Sequence, residues 1–335
     1  MIKKLLREGI IKTNLTEESI KLFETVKDYY EFSGNIKENI DSLNELSVYL
    51  REEFDPYGHA DKPDEEAEED KNVCFLKFSK STAKLAWPSL SLPAGYTCPF
   101  AVACKNFAAK AGKRFSDGSA VKKASEKTKF QCYAAREQGQ YPSLNKNVFT
   151  NLTLLKNAEK NGGVEAMAKL IIDSIDYANL NSRIFRIHEG GDFFSDNYFK
   201  AWIKVCEHFP EMTFYTHINS IDFWINNKAA VPSNMNLIAS MEDDNYQKIL
   251  DNNLRFSKVV YSEEEVIELE LPIDFDDTLA CCTDKNFAIL IHGQQHAGSE
   301  ASKAVSALTK SGVKDKQKTY HNANKKKRKE LMKFK

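Results

Sequence analysis

The chain has 335 residues, 42% of them hydrophobic, enough for one large or two ordinary domains with a sizeable core. A formal net charge of −1 excludes a global field that would draw nucleic acid to the whole surface, but the charge is unevenly placed. The opening MIKKLLREGIIK has scattered charges and no apolar core of signal-peptide length, and no segment approaches the roughly 18 apolar residues of a membrane span. These features predict a cytoplasmic chain without membrane association, in which seven cysteines serve as ligands, reactive groups or core fillers rather than as disulfides.

Residues 17–32 and 36–54 carry apolar residues at helical spacing (Ile20, Phe23, Val26, Tyr30, then Ile40, Leu43, Leu46, Leu50) and predict a helical N-terminal arm over 1–54. An acidic linker, 55–72, follows; its DKPDEEAEED stretch holds seven acids and one lysine. CFLKFSK at 74–80 alternates like a strand, so the main domain is placed at 73–312. WPSLSLPAG (87–95) reads as a further strand. From residue 145 the pattern becomes regular: two helices, 145–160 and 163–178, split by Asn161-Gly162-Gly163, then strands at 183–188, 212–217, 236–240, 258–262 and 287–293. Helical stretches at 196–209, 221–229, 244–253, 262–269 and 299–310 alternate with them, with a capping box from Ser262 to Glu265. The spacing fits right-handed βα crossovers, and the predicted fold is α/β, a partial (β/α)6-type barrel of parallel strands. The basic tail, 313–335, has ten Lys or Arg in its last twenty-two residues.

In such folds chemistry sits where strands end. The residues there are polar: His188, Glu189 and Asp192; His217, Asn219 and Ser220; Ser240 and Glu242; Ser262 and Glu263; His292, Gln294 and His296. Cys98 and Cys104 form a C-x5-C pair, and Cys132 follows after 27 residues that read as an inserted loop. If that loop folds out, three thiolates converge at the mouth of the sheet, as an open iron–sulfur cluster or a zinc site requires. Three ordinary buried cysteines are the competing reading. Gly190-Gly191-Asp192 lets backbone approach a ligand and offers a carboxylate for an ammonium or hydroxyl; a tight βα turn capped by an acid explains it equally. His217 and His292 could contact a cofactor or move protons, or be plain hydrogen-bonded residues. Cys206 and Cys74 read as packing, and Cys281-Cys282 as packing, a redox thiol or an extra ligand. KKKRK at 325–329 suits either nucleic-acid phosphates or solubility. No P-loop, dinucleotide fingerprint or G-x-S-x-G elbow is present.

Taken together, LSLPAGYTCPFAVACK (90–105), QCYA (131–134), RIHEGGDFFSDNYFKAW (186–202), FYTHINS (214–220) and ILIHGQQHAGSEA (289–301) resemble the phage-borne gene product 88 family. Their layout is similar to that of radical S-adenosylmethionine enzymes, which carry three cysteines after the first strand and a Gly-Gly-acid motif after the second. The resemblance implies a 4Fe-4S cluster on Cys98, Cys104 and Cys132, and S-adenosylmethionine held through Gly190, Gly191 and Asp192, with His217 and His292 nearby. It departs from the superfamily in lacking the compact C-x3-C-x2-C and in having Asp192 where Glu is commoner. The implied function is an iron–sulfur enzyme of this type with an unnamed substrate, for which the phage setting and the basic tail suggest a nucleic acid or nucleotide, in the host cytoplasm if phage-encoded. The alternative is a non-catalytic metal- or nucleic-acid-binding protein working through its arm and tail. The sequence leaves substrate, electron donor and oligomeric state open.

Overall fold

The computed structural model describes residues 75–79, 87–110, 113–180 and 182–313, all within the compact unit Cys74–Lys335. The helical arm over 1–54, the acidic linker over 55–72 and the basic tail beyond Val313 lie outside these residues.

The architecture is mixed α/β around a seven-stranded, mostly parallel sheet. Its strands are β1 (Phe78–Ser79), β2 (Ser89–Ser91), β5 (Ile184–Gly190), β6 (Thr213–Ile218), β7 (Met235–Ser240), β8 (Phe256–Val260) and β9 (Phe287–Leu290), paired in that order. From β2 onward every pairing is parallel, and β1 alone runs antiparallel, with Phe78 opposite Leu90. All five strands expected after residue 180 are present, and the Trp87 segment supplies the sixth parallel strand. A separate hairpin pairs β3 (Asn106–Ala108) with β4 (Val121–Lys123).

The helices are α1 (Tyr133–Gln140), α2 (Pro142–Ala178), α3 (Asp196–His208), α4 (Ile221–Asn227), α5 (Tyr246–Asp251), α6 (Glu263–Glu268), α7 (Thr278–Cys282) and α8 (Glu300–Lys310). Ser195, Ser262 and Ser299 cap α3, α6 and α8 by accepting from the amides of Tyr198, Glu265 and Ser302. The two helices expected at 145–160 and 163–178 are both present within α2, parted where Gly162 (φ −167°, ψ 18°) and Gly163 (φ 60°, ψ −137°) leave helical geometry. The glycine pair breaks the helix where the sequence marked a breaker. The hairpin, α1 and α7 are additions to the expected elements.

Strand alternation sorts the core. Phe185, Ile187, Phe214, Ile218, Leu237 and Ala239 pack against Tyr198, Phe199 and Trp202 of α3 and against α2. The alternate residues Ile184, Tyr215, Ile238 and Phe287 face the other way and meet Trp87 and Cys281. Each large side chain so buried contributes about 1.5–3 kcal/mol.

Candidate metal and cofactor site

The chain leaves β2 with Leu92 N donating to Gly190 O at 2.8 Å, which ties its exit to the end of β5. It then turns tightly: Thr97 Oγ1 donates to Pro93 O at 2.9 Å and Cys98 N to Gly95 O at 3.3 Å. The stretch between Cys98 and Cys104 is anchored by Glu242, just past β7, whose Oε2 accepts from Val102 N (3.1 Å) and Ala103 N (2.9 Å). The segment after Cys104 does fold out, as the β3–β4 hairpin. Its return is fixed where Ala103 O accepts from Lys129 N (2.8 Å) and Phe130 N (3.2 Å), and where Asn106 Nδ2 bridges the carbonyls of Cys104 (3.0 Å) and Phe130 (3.1 Å). Gln131 N then donates to Gln295 Oε1, beyond β9, at 2.7 Å. Cys132 sits at the N-cap of α1. The described residues between 92 and 134 are therefore pinned to the carboxyl ends of β2, β5, β7 and β9.

This routing makes the three cysteines electrostatic neighbours. All three are half-buried thiols. Burial pushes the Cys98 thiol up, with Asp192 and then Cys132 adding to it, while Lys105 opposes. Burial likewise raises Cys104, followed by Cys132, Glu242, Cys98 and Asp192. Burial raises Cys132 against the amides of Ala135 and Ala134, which favour its thiolate. Three thiolates so close to two acids would be mutually destabilising unless a cation offset them. Among the described residues no three His, Cys, Asp or Glu side chains stand already gathered around a metal position, so the trio is a neighbourhood rather than a finished ligand set.

The glycine turn lies against this segment from below. Gly191 has a φ of +89°, and a Cβ there would stand 2.6 Å from Thr97 Oγ1 and 2.7 Å from Leu92 Cβ. A Cβ on Gly190 would come within 2.8 Å of Ala134 Cβ. The two glycines thus allow the backbone after β5 to touch both the Cys98 turn and the start of the Cys132 helix. Asp192, 2% exposed, has its carboxylate turned toward protein donors. Its Oδ2 accepts from Asn219 N (2.8 Å), Ser220 N (3.0 Å) and Ser220 Oγ (3.1 Å), and its Oδ1 from Phe193 N (2.7 Å). Burial outweighs these bonds and raises its pKa to about 7. Beside it, Asn219 Oδ1 is buried without a hydrogen-bond partner, an acceptor aimed at nothing in the protein.

The histidines are distributed differently. His217 Nδ1 pairs with Ser257 Oγ at 3.0 Å and its ring meets Phe287; burial, aided by Arg186, lowers its pKa to about 4, so it is neutral. The exposed His292 sits with its ring 6.1 Å from that of Tyr133, next to Cys132. His188 is buried between Phe193 and Tyr198, with Nε2 3.1 Å from the Tyr198 hydroxyl, and burial lowers it to about 3; it belongs to the α3 packing and not to the cleft. Ser262 and Glu263 serve the start of α6.

Sequence reasoning missed a buried network beneath the cysteines. Trp87 Nε1 donates to Tyr215 Oη (2.6 Å), which donates to Asp277 Oδ2 (2.7 Å). Asp277 also accepts from Arg186 Nη1 (2.8 Å), while Arg186 donates to Tyr133 Oη (3.2 Å) and His188 O (2.8 Å), and Tyr133 in turn donates to Glu189 O. These bonds run from α7 through β6 and β5 to α1 and hold the four elements in one register. Its signal was present: a charged residue at the centre of the apolar strand RIFRIH, in register with Tyr215.

The family described as Gene product 88 matches residues 59–311. The Gene 88 protein of Mycobacterium phage D29 is 28% identical over 118 residues, 34% of this chain and 48% of that protein. The Gene 88 protein of Mycobacterium phage L5 is 25% identical over 118 residues, with the same coverage. The chain thus aligns with about half the length of these relatives. No solved structure matches.

Proposed function

This chain belongs to the gene product 88 family, and we propose that it is an iron–sulfur enzyme of radical S-adenosylmethionine type acting on a nucleic acid or nucleotide in the host cytoplasm. The observation that carries the reading is that Cys98, Cys104 and Cys132 come from one segment at the carboxyl ends of the parallel strands, whose Thr97 and Ala134, next to Cys98 and near Cys132 in sequence, lie against Gly191 and Gly190. Consecutive strand order supports a partial (β/α)6 barrel. When each parallel strand is added on the same side, right-handed crossovers put the connecting helices on one face and leave the other to enclose a site.

The residues fit the implied groups chemically. Cys98, Cys104 and Cys132 would hold the cluster, whose positive irons remove the electrostatic cost of three neighbouring thiolates. The backbone at Gly190-Gly191, the unpartnered Asn219 Oδ1 and the nearby Asp192 would receive the methionine ammonium. His217, neutral, and His292 would flank the adenosyl part as hydrogen-bonding groups. When bound, the cluster would supply one electron for cleavage of the sulfonium. The basic tail, with KKKRK at 325–329, would add affinity for phosphates.

Anaerobic purification followed by iron, sulfide and zinc analysis tests the reading. Iron and sulfide in near-equal amounts, lost in Cys98→Ala, are expected, together with S-adenosylmethionine binding that Asp192→Ala weakens while iron stays. Zinc in place of iron would favour the non-catalytic binding protein. A loaded cluster that neither binds nor cleaves S-adenosylmethionine would remove the proposed chemistry.

A further inference from the structure

A second thiol site lies in α7, against the amino-terminal half of the sheet, where Asn236 Nδ2 donates to Cys281 O at 2.8 Å. We propose that Cys281 and Cys282 form a vicinal dithiol that a hydroperoxide oxidises reversibly to a disulfide, a modification site independent of the cysteine trio and of any cluster there.

Four observations lead to it. The two thiols are in hydrogen-bond contact with each other. They differ in access: Cys281 is 1% exposed, packed among Trp87, Tyr215 and Phe287, whereas Cys282 is exposed. The Arg255 guanidinium lies across the end of α7, donating to Leu279 O (2.6 Å) and Ala280 O (3.1 Å), and its charge acts on both sulfurs. Finally, α7 ends at Cys282 and Thr283 is extended, so closing a ring between the two residues disturbs only one terminal turn.

The chemistry balances without a metal. The Cys282 sulfur attacks the terminal oxygen of the hydroperoxide; an S–O bond forms, the O–O bond breaks, and the alkoxide leaves as alcohol with the thiol proton. The Cys281 sulfur then attacks the sulfenic sulfur; the S–S bond forms, the S–O bond breaks, and hydroxide leaves as water with the second proton. Two sulfurs lose one electron each and the peroxide gains two. Adjacent Cα atoms are about 3.8 Å apart, under the roughly 4.4 Å lower bound of ordinary disulfides, so the product is strained and readily reduced again. The site reports to the interior because α7 is entered through Asp277, which holds Arg186 and Tyr215.

The experiment uses the full chain, reduced, then exposed to limiting cumene hydroperoxide and digested with trypsin after alkylation. The peptide 259–285 contains Cys281 and Cys282 and no other cysteine. It should lose the mass of two hydrogens, regain it with dithiothreitol, and show no such loss in Cys282→Ser. Because the wild-type peptide carries the readout, the result does not depend on a Cys281 variant folding. An unchanged peptide, or one in which Cys282 is a sulfinic acid while Cys281 remains alkylatable, would overturn the proposal.

Discussion

On the helix-packed face of the sheet, Phe185, Ile187, Phe214 and Leu237 meet Tyr198, Phe199 and Trp202 in a dry aromatic core, whereas the opposite face of the same strands carries Arg186, Tyr215 and His217. The first face has no charged group and is held by area. The second places a guanidinium, a carboxylate and two phenols where apolar side chains would pack as well, and it lies below the cysteine segment. A buried ion pair gives little net stability over such a replacement. Stability should therefore be concentrated on one side of β5–β7 and chemistry on the other.

Truncating the dry face should have the largest effect. Trp202→Ala removes a fully buried indole and should cost about 3–5 kcal/mol, read as a lowered urea midpoint with unchanged slope. A loss under about 1 kcal/mol would contradict the assignment of stability to that face. Next, Gly191→Ala forces a Cβ to within 2.6 Å of Thr97 and into a left-handed backbone; it should cost roughly 2–3 kcal/mol and increase the alkylation rate of Cys98. On the polar face, Arg186→Met leaves Asp277 without its main cation and should cost about 2 kcal/mol, much of it recovered in Arg186→Met/Asp277→Leu. A double mutant as unstable as the single would show that the pair is structural in itself.

The parts of this arrangement that were legible in the sequence are those written locally. Runs such as RIFRIH and MTFYTH announce buried strands, and Ser262 with Glu265 announces a helix start, because the causes lie within a few residues. The proximity of Cys104 and Cys132 was conditional on the intervening loop, and the β3–β4 hairpin that secures it has three-residue strands with no alternation to read. YAAREQGQ, which forms α1, has no apolar stripe, and its register comes from Gln138 bonding Ala94 N and Leu92 O. The Arg186–Asp277 pair joins residues 91 apart, and Asp192 meets Ser220 across 28, so neither leaves a periodic trace. Asp192 read as a ligand carboxylate; the structure adds that it staples the end of β5 to the end of β6.

That staple gives the smallest and most discriminating prediction. The pKa of Asp192 is raised to about 7 in the fold by burial, against an ordinary value near 3.8. Between those values the native state holds a proton that the unfolded chain has released, so this group's contribution to stability is fully present below the unfolded pKa and declines as pH rises through about 7. Asp192→Asn cannot titrate. The difference in urea midpoint between wild type and variant should shrink in the wild type's disfavour from acidic to neutral pH, and parallel pH curves would show that Asp192 is ionised throughout. The same measurement bears on the proposed site. An ammonium placed beside Asp192 stabilises its ionised form, so saturating S-adenosylmethionine should move the wild-type inflection to lower pH and leave the Asp192→Asn curve flat. A cofactor that raises both curves equally would be binding somewhere that does not touch this carboxylate.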